Sequence, residues 1–323
     1  MQPLARDDPV AVAVVGGGTI GVGWCVVFAR AGFAVSLFEP DYERRAAIRG
    51  ELAQRLARLS AGGLLDEAPD SVAQRVTDVD SLADAVEGAT HVQECAPERI
   101  ALKRQLFAEL DELAPREAVL ASSSSAITAS KLAADLAGRA RCLVAHPLNP
   151  PYLVPVVELV PAPFTAANAV DRTRRLLIAA DMSPVLVARE VEGFVANRLQ
   201  GALLREAYSL VRDGVASVDD VDRVVRDGAG RRWAFVGPFE TAHLNTRGGI
   251  ELHAEKLGPS YARMGAERGQ NDPWTPRLVA RVAAELHERV PLEHWEERLA
   301  WRDDVLIVLE RARRESGLFG ETA

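Results

Sequence analysis

Two constellations in this chain have the residue types and spacing that chemistry requires. The run Gly16-Gly17-Gly18-Thr19-Ile20-Gly21 places glycine at its first, third and sixth positions, directly after the β-branched segment Val10 to Val15. In that setting Gly16 permits a tight turn, Gly18 lets backbone approach a pyrophosphate, and Gly21 lets the following helix pack on the strand. The first amides of that helix, Thr19 and Ile20 among them, and its partial positive charge suit an anion. Glu39 ends the next strand-like run eighteen positions after Gly21, where a carboxylate accepts hydrogen bonds from the diol of an adenosine ribose. The expected ligand is a nicotinamide dinucleotide, and a carboxylate there favours NAD over NADP. Two alternatives stay open: a glycine-rich turn with no ligand, and Arg44 and Arg45 as partners for a 2′-phosphate.

The second constellation is His146 and, twelve residues later, Glu158 within the apolar run 154–160. An ionised glutamate buried alone costs several kcal/mol, whereas an imidazole partner satisfies it, fixes the ring tautomer and makes the histidine a better base. Such a base suits alcohol oxidation, taking the hydroxyl proton as hydride leaves the same carbon. The residues alone leave a second arrangement open, a histidine ending a strand and a glutamate pointing outward.

These residues need a scaffold, and the hydrophobic pattern supplies one. Strand-like runs at 10–15 and 33–38 flank a helical stretch, 19–31, and complete a βαβ unit; further strands are expected at 89–95, 118–122, 142–145, 153–160 and 183–188, with helices such as 100–113 and 166–179 between them. Alternation of this kind implies an α/β, Rossmann-type, doubly wound and mostly parallel sheet. After residue 189 the pattern turns wholly amphipathic-helical, with helices expected at 194–212, 218–226, 240–256, 275–289 and 293–314. The expected organisation is a dinucleotide-binding domain over 1–189 and an all-α domain over 190–323.

Length and composition agree with two domains: 323 residues against roughly 150 per domain, with 48% hydrophobic content. The net charge of −8 repels phosphate polymers and anionic lipid, so neither nucleic acid nor a membrane surface is expected as a partner. Residues 10–29 carry no charge and have the length of a membrane span, but five glycines interrupt them and Asp7 and Asp8 precede them. The three dispersed cysteines fit a reducing compartment, hence a cytoplasmic protein, and the six histidines form no i, i+4 pair, so no metal is expected.

The glycine loop, His146-Pro-Leu-Asn149-Pro, Glu158 and Gly193-Phe-Val-Ala-Asn197-Arg-Leu199 resemble the 3-hydroxyacyl-CoA dehydrogenase superfamily. The resemblance implies that His146 is the acid/base, Glu158 its partner, and Asn197 a substrate-holding residue. It also implies roles in the site for Ser123, taken from the run of serines 122–125, and for Asn149. Glu98 and Lys103 are implied near the nicotinamide ribose, and the helical domain is implied to form a homodimer.

Gln93-Glu-Cys-Ala-Pro-Glu98, the serine run, His146 to Tyr152, Arg232 to Asn245 and Trp301-Arg-Asp-Asp304 are similar to the lambda-crystallin branch, whose members act as L-gulonate 3-dehydrogenases; carnitine 3-dehydrogenases share several of these features. Compared with the hydroxyacyl-CoA enzymes, the segment between Gly230 and Gly237 is longer and carries Arg231, Arg232 and Trp233, which implies a small free acid in place of a thioester. A guanidinium suits a carboxylate, so Arg231 or Arg232 is the candidate anchor. For carnitine, Trp233, Phe235 and Tyr152 would enclose the trimethylammonium. The expected activity is NAD-dependent oxidation of the 3-hydroxyl of such an acid. A CoA ester substrate is the first rival, and a stable NAD-binding protein without turnover, as in a lens crystallin, the second.

Overall fold

Short β-branched runs without charge form the middle of a sheet whose two faces are both covered. The computed structural model describes residues 10–234, 236–269, 275–295, 297, 298, 301 and 312, and the chain divides into two compact units, Met1–Leu204 and Arg205–Ala323. Among the described residues the first holds eight strands: β1 (Ala11–Val15), β2 (Ala34–Phe38), β3 (Val76–Val79), β4 (His91–Glu94), β5 (Val119–Ser122), β6 (Cys142–Pro147), β7 (Val156–Pro161) and β8 (Ser183–Leu186). Their order across the sheet is β3-β2-β1-β4-β5-β6-β7-β8, and every neighbouring pair is parallel except β6 and β7. The order reverses between β1 and β4, and a crevice beyond the carboxyl ends of strands at such a point is where ligands bind in open α/β sheets.

Alternation along β1 feeds both cores. Val12 and Val14 pack with Trp24, Phe28 and Leu37, whereas Ala13 and Val15 pack with Leu82, Phe107 and Leu120. The covering helices are α1 (Thr19–Arg30), α2 (Tyr42–Ala61), α3 (Pro69–Ala73), α4 (Leu82–Val86), α5 (Ile100–Leu113), α6 (Ala129–Ala133) and α7 (Ala167–Ala179); α8 (Ala196–Arg212) begins in this unit and ends in the next. The charge-free stretch that begins at Val10 is therefore β1, a turn and most of α1. No helix among the described residues is long and apolar enough to cross a membrane.

Strand β3 is absent from the sequence reading because Val-Thr-Asp-Val is short, carries a charge and lies at the sheet edge, with its middle two residues exposed. In the second unit α9 (Val218–Arg223) runs through a π-helical turn, Val224–Ala229, into α10 (Gly230–Trp233), followed by α11 (Pro238–Asn245), α12 (Gly249–Glu267) and α13 (Pro276–Arg289). The continuous helix expected over 240–256 is two helices, since Gly248 and Gly249 take φ of +105° and +79°, a left-handed conformation that ends one helix and re-aims the chain. The helix expected over 293–314, and Phe235, lie largely or wholly outside the described residues.

His91 opens the central strand β4 and is 2% exposed. Burial, with a further push from the Arg172 charge and against the hydrogen bond to Gln93, lowers its pKa from 6.5 to about 4. The unfolded chain takes up this proton near pH 6.5 while the folded chain stays neutral to about pH 4, so stability from this residue is level above 6.5 and falls as pH drops through that window. The loss reaches up to about 3 kcal/mol. Urea unfolding at pH 7 and 4.5 checks this: the acid-induced loss is expected to shrink by most of that amount in His91→Asn, and an equal loss in both proteins would contradict it.

Candidate active site

The glycine loop leaves the carboxyl end of β1 and turns at once into α1. Gly16 has φ +105°, and a Cβ on it would meet the Cys95 carbonyl at 2.8 Å; a Cβ on Gly21 would stand 1.9 Å from the Gly16 oxygen. A Cβ on Gly18 would meet nothing within 4 Å, so that glycine borders open space. No side chain caps α1 and no acidic residue lies in its first turn, which leaves its amino-terminal amides for an anion. Glu39, just past β2, accepts from the Gly17 amide at 2.7 Å and the Asp41 amide at 3.0 Å, and each oxygen retains a lone pair for a ribose hydroxyl. These residues fit NAD. Arg44 is engaged by Glu51 at 2.8 Å and the Gly17 carbonyl at 2.7 Å, and Arg45 by Asp80 at 2.8 Å, so each of the two guanidiniums that would greet a 2′-phosphate already holds a carboxylate.

His146 and Glu158 face each other across the antiparallel pair β6–β7, and the ring Nδ1 lies 2.8 Å from Glu158 Oε2. A carboxylate accepts only, so Nδ1 carries the proton and Nε2 is left with a lone pair. The other Glu158 oxygen accepts from the amides of Val195 at 2.7 Å and Ala196 at 2.9 Å, where α8 begins. Glu158, 2% exposed, thus has three donors, and the open question of its orientation resolves to the paired arrangement. Gly193 (φ +75°) and Phe194 (φ +48°) turn the chain into that helix start, and the Phe194 ring packs 5.7 Å from the His146 ring.

The serine run ends β5 and its four members diverge. The Ser122 hydroxyl donates to Glu94 at 2.5 Å, Ser124 donates to Glu98, and Ser123 and Ser125 line a cavity. Lys103, 1% exposed, donates to both Glu94 oxygens at 2.7 and 3.0 Å and lies 3.6 Å from Glu98. Desolvation pushes Glu98 up, but the Ser124 hydroxyl, the Lys103 charge and the amides of Ala126 and Ile127 outweigh it and hold the carboxyl below its usual range.

The cavity, about 640 Å³, brings together Ile20, Glu98, Lys103, Ser123, His146, Asn149 and Asn197, with Glu158 behind the histidine. Asn197 is fixed by donating to the Ser125 carbonyl at 3.0 Å. Arg231, Arg232 and Trp233 form α10 of the second unit. Three features of the site escaped the sequence reading. Glu94 is a second buried carboxylate ending a strand, and the reasoning applied to Glu158 would have found it. Gln200 also lines the cavity, one helical turn beyond Asn197, a spacing visible in the sequence. Gln93 and Trp24 both donate to Ser123, which no local pattern indicates.

A nucleotide loop at the switch point of a parallel sheet, opening beside a histidine–glutamate pair, defines a dinucleotide-dependent dehydrogenase. The family models for the 3-hydroxyacyl-CoA dehydrogenase NAD binding domain and C-terminal domain match residues 11–191 and 193–285, and the chain belongs to that family. It is an NAD-dependent dehydrogenase acting on a 3-hydroxyl group. It is 42% identical to the lambda-crystallin homolog of Bos taurus, over 98% of this chain and 99% of that one. To the L-carnitine dehydrogenase of Streptomyces griseus it is 37% identical, over 96% and 89% of the two chains. Among solved structures, 3-hydroxybutyryl-CoA dehydrogenase from Escherichia coli K12 superposes with a TM-score of 0.65 at 30% identity, covering 74% of this chain and 50% of that one.

The two glycines make a paired prediction. Gly18→Ala, with φ −66° and open space at its Cβ, is expected to fold with an unchanged Tm but to bind NAD more weakly, because the methyl occupies the approach of the pyrophosphate. Gly21→Ala drives a methyl into backbone and is expected to cost about 1–3 kcal/mol or more of stability. Thermal unfolding and NAD titration separate the two; equal effects of both variants on Tm would contradict the assignment.

Proposed function

We propose that this protein oxidises the 3-hydroxyl of a small hydroxy acid with a free carboxylate, most like an L-gulonate 3-dehydrogenase. The observation that carries the reading is the His146–Glu158 pair in one cavity with Ser123, Asn149 and Asn197, beside Glu98 and Lys103. Bound NAD supplies the hydride acceptor. In this account His146 Nε2 takes the hydroxyl proton while the C–H bond gives up its hydride, leaving a ketone and an imidazolium that Glu158 stabilises. Ser123 and Asn197 hold the reacting oxygen, and Asn149 supports the site. Glu98 and Lys103, which line the same cavity, would border the nicotinamide ribose of bound NAD.

The free-acid preference is supported by near-full-length similarity to a lambda-crystallin homolog; Arg231 and Arg232, whose guanidiniums suit a carboxylate, are the anchors we propose for it. Carnitine is the alternative that similarity to L-carnitine dehydrogenase favours, and a 3-hydroxyacyl-CoA is the one the family itself favours. We propose also a homodimer through the helical half, because α8 exposes Leu199, Leu203 and Tyr208. A cytoplasmic setting accords with three unpaired thiols.

Nicotinamide absorbance with NAD and, in parallel, L-gulonate, L-carnitine, 3-hydroxybutyrate and 3-hydroxybutyryl-CoA tests the substrate class. Reduction with a free acid is expected, and a preference for the thioester would overturn that part. His146→Ala is expected to lose about 10²–10⁴-fold in kcat with NAD binding intact; retained turnover would remove the base assignment.

A further inference from the structure

Ser123 sits in an unusually complete hydrogen-bond environment. Its Oγ is 2.7 Å from Gln93 Nε2 and 3.1 Å from Trp24 Nε1, and both of these nitrogens donate. The Gln93 amide cannot be turned round. Its Nε2 also faces the Ala145 carbonyl at 3.3 Å, which only accepts, and its Oε1 faces His91 Nε2 at 3.1 Å. His91, neutral above about pH 4, therefore donates to that oxygen and holds the amide group on the serine. Trp24 is equally fixed, fully buried on α1 and stacked 5.1 Å from Phe28.

A serine oxygen has two lone pairs and one proton. With both lone pairs taken, the hydroxyl can only donate. Its protein neighbour for that bond is the Cys95 sulfur at 3.2 Å, a weak acceptor whose thiol burial keeps protonated, pushed up to about 12. A ligand oxygen in the cavity is a better acceptor than that sulfur and displaces it at little cost.

We propose that Gln93 and Trp24 are positioning residues that make Ser123 an obligate donor to the oxygen being oxidised. This rests on the reading above that Ser123 and His146 share that oxygen. The substrate hydroxyl has one proton to give: were Ser123 free to accept it, the proton would be diverted from His146 Nε2. A fixed donor instead leaves the proton to the histidine and stabilises negative charge on the oxygen as the proton departs.

The test is a set of double-mutant cycles on the acid the wild-type protein turns over best. Gln93→Leu and Trp24→Phe, each removing one donor, are expected to lower kcat about fivefold, with KM for NAD unchanged. Gln93→Glu keeps the shape but offers Ser123 an acceptor, and is expected to lower kcat further than Gln93→Leu. In a Ser123→Ala background none of the three is expected to lower kcat further, whereas losses from a merely structural role would persist there. Trp24→Phe retains the stacked ring and tests the same oxygen if a Gln93 variant fails to fold. Undiminished losses in the Ser123→Ala background, or wild-type kcat in Gln93→Glu, would overturn the proposal. Wild-type kcat in Ser123→Ala alone would instead overturn the reading of function beneath it.

Discussion

The Glu158 carboxylate joins three parts of the molecule. One oxygen holds His146 across an antiparallel strand pair, and the other holds the first amides of α8. Neither partner is optional for a buried carboxylate, whose desolvation is offset only when its lone pairs are filled. The favourable field at a helix amino terminus reinforces the same charge. Because the helix start is pinned here, Asn197 and Gln200, one turn apart on α8, are brought to the cavity that His146 lines. The His146 imidazole, its tautomer and the α8 side of the cavity are thus set by one group.

A second buried carboxylate organises another wall of the cavity in a similar way. Glu94, at the end of β4, takes the Lys103 ammonium from α5, the Ser122 hydroxyl from the end of β5 and the Ala96 amide, the last at 2.6 Å. A buried ion pair is weak evidence of stability, since desolvation consumes most of its attraction. Here its consequence is positional: it fixes the ends of β4 and β5 and the first turns of α5 together, where Glu98 and Ser123 enter the site. Both carboxylates lie near strand ends on the side where the sheet order reverses, so the topology and the polar networks locate the cavity in the same place.

Much of this was legible in the sequence, and the parts that were not have physical reasons. The glycine loop and Glu39 declare themselves because their chemistry is local, a strand, a turn and a helix within thirty residues. His146 and Glu158 were visible as a pair of types but not as a contact, because only the β6–β7 register, a tertiary fact, turns twelve residues of separation into 2.8 Å. Family resemblance supplied what spacing could not, but it pointed to Ser123 with one residue of register left open among four serines, and the structure lines the cavity with both Ser123 and Ser125. Edge strand β3 escaped because its middle residues face solvent and leave no hydrophobic alternation. Gln93 and Trp24 escaped because no local spacing links either to Ser123; what distinguishes them is one polar atom each, aimed at a serine far away in the chain.

The proposed chemistry depends on Glu158 acting through His146. Glu158→Gln retains an oxygen for the α8 amides and loses the charge that orients and stabilises the imidazole, so measuring kcat and Tm of this one variant addresses the claim directly. A folded protein is expected, with kcat reduced about 10²-fold or more and a nearly unchanged Tm. A folded variant with wild-type kcat would contradict it.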